Sequence, residues 1–215
     1  MAPGSSGLLA PAALSATDLA VINGTASSGG TPPPPPLGSI VGTDGNDGLV
    51  GTSGNDTIYG LGGNDFIAGN AGADSMVGGS GNDTIDGNDG NDWIEGGPGN
   101  DFLSGSGDQD SIVFREFGAA NADTVANFAS DWDALKFDHN GFSALGALGQ
   151  FAADDGRFYA AAGATGGADA DDRLVYDTSS GQLYYDADGS GAGAAQLVAT
   201  LQGAVPLAAS DITVI

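Results

Sequence analysis

From Gly42 onward the chain repeats one order of polar and apolar positions every nine residues. The segments are GTDGNDGLV, GTSGNDTIY, GLGGNDFIA, GNAGADSMV, GGSGNDTID, GNDGNDWIE, GGPGNDFLS and GSGDQDSIV. The frame never slips across residues 42–113. Position eight is always aliphatic: Leu49, Ile58, Ile67, Met76, Ile85, Ile94, Leu103 and Ile112. One apolar side chain among Thr, Phe, Tyr, Val and Ser neighbours predicts a strand of two or three residues burying a single side chain. The remaining positions are turn chemistry, Gly, Asn and Asp. A fixed short period of turn and strand predicts stacked coils, since one repeat cannot bury its apolar residue alone.

Beyond residue 113 the period ends and ordinary hydrophobicity returns. Short apolar runs at 111–117, 123–128, 134–137, 157–161, 173–176, 182–185, 196–201 and 212–215 have strand length. Asp177-Thr178-Ser179-Ser180-Gly181 predicts a hairpin turn between two of them. Before the repeats, residues 1–37 are Ala, Ser, Gly and Pro, ending in Thr31 and five consecutive prolines. That composition predicts a disordered linker whose proline run is a stiff spacer. Residues 14–22, LSATDLAVI, echo residues 207–215, LAASDITVI, as the end of a preceding similar cap would.

Composition narrows the chemistry. The 215 residues carry 28 acidic and four Lys or Arg side chains, a formal charge of −24. Such a chain has no basic footprint for nucleic acid. It has no cysteine, and His139 is its single histidine, which excludes thiolate and multi-histidine metal sites. No apolar run is long enough for a membrane helix, and the N-terminus lacks a basic-then-apolar signal layout. Residues 42–113 hold 12 Asp and no Lys or Arg, so the acid is concentrated in the repeats.

Position six is Asp in every repeat: Asp47, Asp56, Asp65, Asp74, Asp83, Asp92, Asp101 and Asp110. Position four is Gly45, Gly54, Gly63, Gly72, Gly81, Gly90 and Gly99, with Asp108 in the last copy. Carboxylates in one register, beside glycine-rich loops with accessible carbonyls, can supply the six to eight oxygens that calcium takes. Magnesium prefers a rigid octahedron with retained water and suits such loops less well.

These nonapeptides resemble the RTX repeat, Gly-Gly-x-Gly-x-Asp-x-aliphatic-x, of exported bacterial calcium-binding proteins. The resemblance implies an all-β chain: a right-handed parallel β-roll over residues 38–114, each repeat half of an 18-residue coil, followed by a β-rich C-terminal cap over residues 115–215. It implies calcium between turns of repeats i and i+2, hence about six ions. The ligands would be the eight position-six aspartates and turn carbonyls, those of the position-four glycines among them. Asp108 either disturbs the last site or adds a ligand. Residues 172–177 (DRLVYD) and 183–191 (LYYDADGSG) resemble the cap of serralysin-type exported proteins. In that family export runs through type I secretion machinery that reads an uncleaved C-terminal signal, which Asp211-Ile212-Thr213-Val214-Ile215 resembles.

The expected function is therefore a non-catalytic calcium-binding module, secreted, extracellular or on the cell surface, with self-association open to it. Two alternatives are the tail of a secreted protease or polysaccharide-modifying enzyme and a surface-layer or adhesive protein. The chain lacks His-Glu-x-x-His and Gly-x-Ser-x-Gly, so no catalytic residue is expected. Asp186 and Asp188 are read as an Asx turn rather than a further cation site. Phe66, Trp93 and Phe102, at position seven, should face outward, most simply to pack on a cap or a neighbouring coil.

Overall fold

A computed structural model describes residues 38–215; the linker and the 14–22 echo lie outside the described residues. The repeat region supplies β1 (Ile40–Val41), β2 (Gly48–Val50), β3 (Thr57–Gly62), β4 (Phe66–Ala71) and β5 (Ser75–Ser80). It continues through β6 (Thr84–Asp89), β7 (Trp93–Glu95), β8 (Phe102–Ser106) and β9 (Ser111–Phe114). Each strand from β2 on begins at position seven of its repeat.

Successive strands pass to opposite sheets, so every strand pairs in parallel with the one 18 residues on. Ile58 sits opposite Met76 and Met76 opposite Ile94 in one sheet; Leu49, Ile67, Ile85 and Leu103 line up in the other. With period 2 in each short strand, position eight points between the sheets. Ile58, Ile67, Met76, Ile85, Ile94 and Leu103 are wholly buried there. Each contributes roughly 1.5–3 kcal/mol of apolar burial, and a polar residue at any of them would open the stack. Phe66 and Phe102 face outward and are exposed, whereas the Trp93 ring is met by the Lys136 ammonium, 4.4 Å from its centroid.

The remaining strands are β10 (Asp123–Ala126), β11 (Ala134–Phe137), β12 (Gly149–Gln150), β13 (Phe158–Ala161), β14 (Leu174–Asp177), β15 (Gln182–Tyr185), β16 (Gln196–Leu201) and β17 (Ile212–Val214). The only helical pieces among the described residues are two short 3-10 turns, Ser143–Leu145 and Ala209–Asp211. One sheet runs β1-β3-β5-β7-β9-β11-β17-β12 and the other β13-β14-β15-β16-β10-β8-β6-β4-β2. Both sheets of the roll thus continue without a break into the second half. Leu103 pairs with Val125 and Ile112 with Leu135, so β10 and β11 extend the stack with longer connections.

The far end of the core is closed by side chains rather than by another coil. Phe114, Phe137, Phe142, Tyr185 and Phe117 form a chain of tilted and edge-on ring contacts with centroids 4.9–5.4 Å apart. Asp177 ties the β14–β15 hairpin: its carboxylate accepts from Ser179 N and from the Ser179 and Ser180 hydroxyls, and Gly181 takes φ +78°. A stack of repeats needs such a cover because its last coil otherwise exposes the core.

Candidate metal centre

The turns form two columns, one on each edge of the roll, and each column is held by its own side chains. Every position-six Asp from Asp65 on places Oδ1 to accept the backbone N–H of the Asp 18 residues earlier. The distances for Asp47→Asp65, Asp56→Asp74, Asp65→Asp83, Asp74→Asp92, Asp83→Asp101 and Asp92→Asp110 are 2.7–2.9 Å. The position-five asparagines run the opposite way. Asn46, Asn55, Asn64, Asn82 and Asn91 each use Oδ1 to accept the N–H 18 residues later, at 2.8–3.1 Å. The Asn column thus has a structural use that its surface position alone does not reveal.

The second carboxylate oxygen is the informative one. Oδ2 of Asp65, Asp74, Asp83, Asp92 and Asp101 is buried and has no hydrogen-bond partner among the described residues. Each of these residues is at most 3 % exposed. Five unpaired anionic oxygens in a protein interior would cost several kcal/mol each without a counter-charge. Without one, burial instead raises their affinity for protons: Asp83 is pushed up to about 6, Asp110 to about 7 and Asp101 to about 8, and Asp65, Asp74 and Asp92 are raised too. The neighbouring carboxylates in the column add to that desolvation.

Calcium needs more oxygens than these, and among the described residues no three acidic or histidine side chains converge on one point. An ion held here would need backbone carbonyls too, and the glycine positions show which ones are at hand. A Cβ on Gly78 would run into Asp83 Oδ2 and lie 2.7 Å from the Gly96 carbonyl oxygen. A Cβ on Gly69 would likewise meet Asp74 Oδ2 and the Gly87 carbonyl, 2.7 Å away. Position one is therefore Gly for close approach, because there a carboxylate crowds the carbonyl of the next turn.

Position four is Gly for a different reason. Gly63, Gly72, Gly81, Gly90 and Gly99 have φ between +102° and +153°, and a side chain on Gly81, Gly90 or Gly99 would strike the position-four carbonyl of the turn before. Asp108 adopts the same left-handed backbone, φ +71°, and its Oδ2 accepts from Gly90 N at 3.1 Å. Position two is left-handed as well in the later turns, even where it is Leu61, Asn70, Asn88 or Ser106.

The first turn on each edge differs. Asp47 Oδ2 accepts from Thr43 N and Oγ1 at 2.6 and 2.8 Å, and Asp56 Oδ2 from Thr52 N and Oγ1 at 2.5 and 2.9 Å. The Gly45 and Gly54 carbonyls accept from those same hydroxyls. Thr donors here occupy the oxygen that later turns leave unpaired.

The column also outlasts the repeats. Asp123 Oδ1 accepts from Asp101 N and Asp133 Oδ1 from Asp110 N, both at 3.0 Å, across intervals of 22 and 23 residues. The nonapeptide frame misses both residues, although Asp123-Thr124-Val125 and Asp133-Ala134-Leu135 keep the Asp-x-aliphatic ending. In the loop near residue 188, Asp186 accepts from Gly167 N and Asp188 from Gly193 N. His139 lies apart from both columns; its Nδ1 has no partner among the described residues.

Comparison with known proteins agrees with this geometry over the repeats. The family model of the RTX calcium-binding nonapeptide repeat (4 copies) matches residues 41–76 and again residues 77–112. Residues 41–112 are thus a run of RTX repeats, of a type that binds calcium. No curated protein matches the chain. Among solved structures, the solution structure of the AlgE6R3 subunit from the Azotobacter vinelandii mannuronan C5-epimerase is 25% identical. That likeness covers 84% of this chain and 85% of the other, with a TM-score of 0.41. The fold assignment rests on the 18-residue strand register described above.

Proposed function

We propose that the chain is a non-catalytic calcium-binding module, secreted or held at a cell surface, that folds when it meets extracellular calcium. The observation that carries this reading is the set of buried, unpaired Oδ2 atoms on both edges. Between turns three and five, four and six, five and seven, and six and eight, the carboxylates Asp65, Asp74, Asp83 and Asp92 would each present that oxygen to an ion. Carbonyls of position-one glycines in the following turn lie beside it. The two sites nearest the N-terminus, where Thr43 and Thr52 already bind the carboxylate, should be the weakest of the six expected.

Binding of this kind drives folding by mass action. With a Kd of about 0.1 mM against about 3 mM calcium, each site stabilises the folded chain by roughly 2 kcal/mol. Four such sites give about 8 kcal/mol, which is on the scale of a whole domain's stability.

The same logic suits type I export. Ile212–Val214 form β17 inside a sheet, and Ile215 donates its N–H to the Phe137 carbonyl. A C-terminal signal built from these residues is accessible only before folding, hence before calcium is met. The cap's role is to close the roll's core. For catalysis the chain offers no metalloprotease or serine-hydrolase motif, and among the described residues no side chain hydrogen-bonds the His139 ring, which supports a binding rather than an enzymatic role.

Circular dichroism on the full chain tests the reading. In chelator the spectrum should be largely coil, and millimolar calcium should restore β-structure, with magnesium at equal concentration a poor substitute. A spectrum indifferent to chelator would end the proposal.

A further inference from the structure

The two edges of the roll do not end alike. On the edge carrying Asp47, Asp65, Asp83 and Asp101, the last repeat turn still has an unpaired oxygen. Asp101 is 2 % exposed, and its Oδ2 lacks a partner. In the earlier turns of this edge the unpaired oxygen stands between its own turn and the next. Asp83 Oδ2, for example, shares the space beside Gly78 with the Gly96 carbonyl. The next layer after Asp101 is not a nonapeptide. It is the connection into β10.

That connection reproduces several contacts of a repeat turn. Ala122 N donates to Asn100 Oδ1 at 2.8 Å, as each position-five residue does to the Asn before it. Asp101 N donates to Asp123 Oδ1 at 3.0 Å, which is the position-six rung. Thr124 N donates to the Asp101 carbonyl at 2.7 Å, as Phe102 N does to Asp83. Gly99 N finds Asn121 Oδ1 at 3.2 Å, where Gly81 N finds the Pro98 carbonyl. Asp123 is 7 % exposed.

We propose that a further calcium ion binds between the turn at residues 96–101 and the cap turn at residues 118–123, held by Asp101 and Asp123, and that it clamps the cap to the roll. The inference rests on the calcium reading above and extends it to residues outside the repeat. Glu116 supports it, since its charge is near enough to raise the proton affinity of both Asp101 and Asp123. Glu116 thus adds negative charge within electrostatic reach of the Asp101–Asp123 pair. The adjacent Arg115 directs its guanidinium to Glu95 and Asp138 instead. The other edge closes differently: Asp133 Oδ2 is already taken by Ala129 N at 2.8 Å, as in the Thr-capped first turns.

The test is the number of bound ions, counted by native mass spectrometry and by calcium titration calorimetry on the full chain. Asp123→Asn keeps an oxygen for Asp101 N and removes the charge. It should bind one calcium fewer than the wild type, while the surface variant Asp154→Asn should match it. An Asp123→Asn chain that binds as many ions as tightly as the wild type overturns the clamp. A wild type that takes up no calcium at all would instead refute the underlying reading. If Asp123→Asn fails to fold, a lanthanide-substituted crystal of the wild type decides. An anomalous peak between Asp101 and Asp123 is expected there, and repeat sites occupied with that position blank would refute the clamp.

Discussion

Asp83→Ala and Asp47→Ala remove the same carboxylate from the same edge, yet the structure makes them unequal. Asp83 accepts the Asp65 N–H through Oδ1 and leaves Oδ2 unpaired toward the next turn. Its loss strands a buried donor, about 1–3 kcal/mol, and removes the proposed calcium ligand, whose site would supply about 2 kcal/mol. The sum is about 4 kcal/mol. With that site lost, three coupled ions remain to drive folding, and the penalty is offset by raising calcium about tenfold at the midpoint. Asp47 serves no earlier turn among the described residues, and its Oδ2 is held by Thr43. Alanine there forfeits about 1 kcal/mol of local hydrogen bonding, a midpoint shift of about 1.5-fold. Asp65→Ala, with the same two roles as Asp83, should behave like Asp83→Ala. Calcium titrations of the three variants followed by far-ultraviolet circular dichroism measure the shifts. Equal shifts, or a larger one for Asp47→Ala, would mean that ions do not sit between alternate repeats.

Two further outcomes follow from the same columns. In chelator, burial holds Asp83 near about 6, Asp110 and Asp123 near about 7 and Asp101 near about 8, all above their ordinary value. Protons then favour the folded chain, an effect complete below about pH 4 and lost as pH rises through 6 to 8. The calcium-free chain should accordingly show more β-structure at pH 5 than at pH 8, and a spectrum that loses β-structure on acidification would contradict the stacked-carboxylate geometry. Among the glycines, Gly81→Ala puts a methyl against the Gly63 carbonyl at φ +128°, whereas Gly48→Ala meets nothing within 4 Å. Thermal unfolding in calcium should fall sharply for the first, by more than about 3 kcal/mol, and stay within about 0.5 kcal/mol for the second.

The roll was legible because its sequence obeys one period and each column has one physical cause. Position eight predicted the buried stack, position six the carboxylate column, and the 18-residue coil appears as the register Ile58–Met76–Ile94. Less legible was what the turns do besides hold a metal. The Asn ladder and the left-handed backbone at Leu61 and Asn70 arise from contacts between coils, and a single repeat read alone does not contain them. The glycines hid a division of labour, with close approach at position one and positive φ at position four. Asp123 and Asp133 escaped the frame because the connections before them are four residues and one residue longer than a repeat. The strand after each still falls into register, because pairing depends on the Asp-x-aliphatic ending and tolerates a longer loop before it. The 3-10 turns and β12, set by long-range packing, had no local signal.

The charge distribution explains why the fold should depend on an outside cation. The four basic side chains are all engaged away from the carboxylate columns. Arg115 bridges Glu95 and Asp138, and Arg157 pairs with Asp155. Lys136 lies over Trp93, and Arg173 donates to the Ala170 and Asp172 carbonyls. Stacking therefore brings acids to within a hydrogen bond of the next acid's backbone with no cation of the chain to neutralise them. A lysine beside each Asp would remove that cost and make the roll stable everywhere, including inside the cell that makes it. Leaving the oxygens unpaired would instead tie stability to the calcium concentration. On the proposed reading, the chain would remain open where calcium is scarce and close, cap included, where it is plentiful.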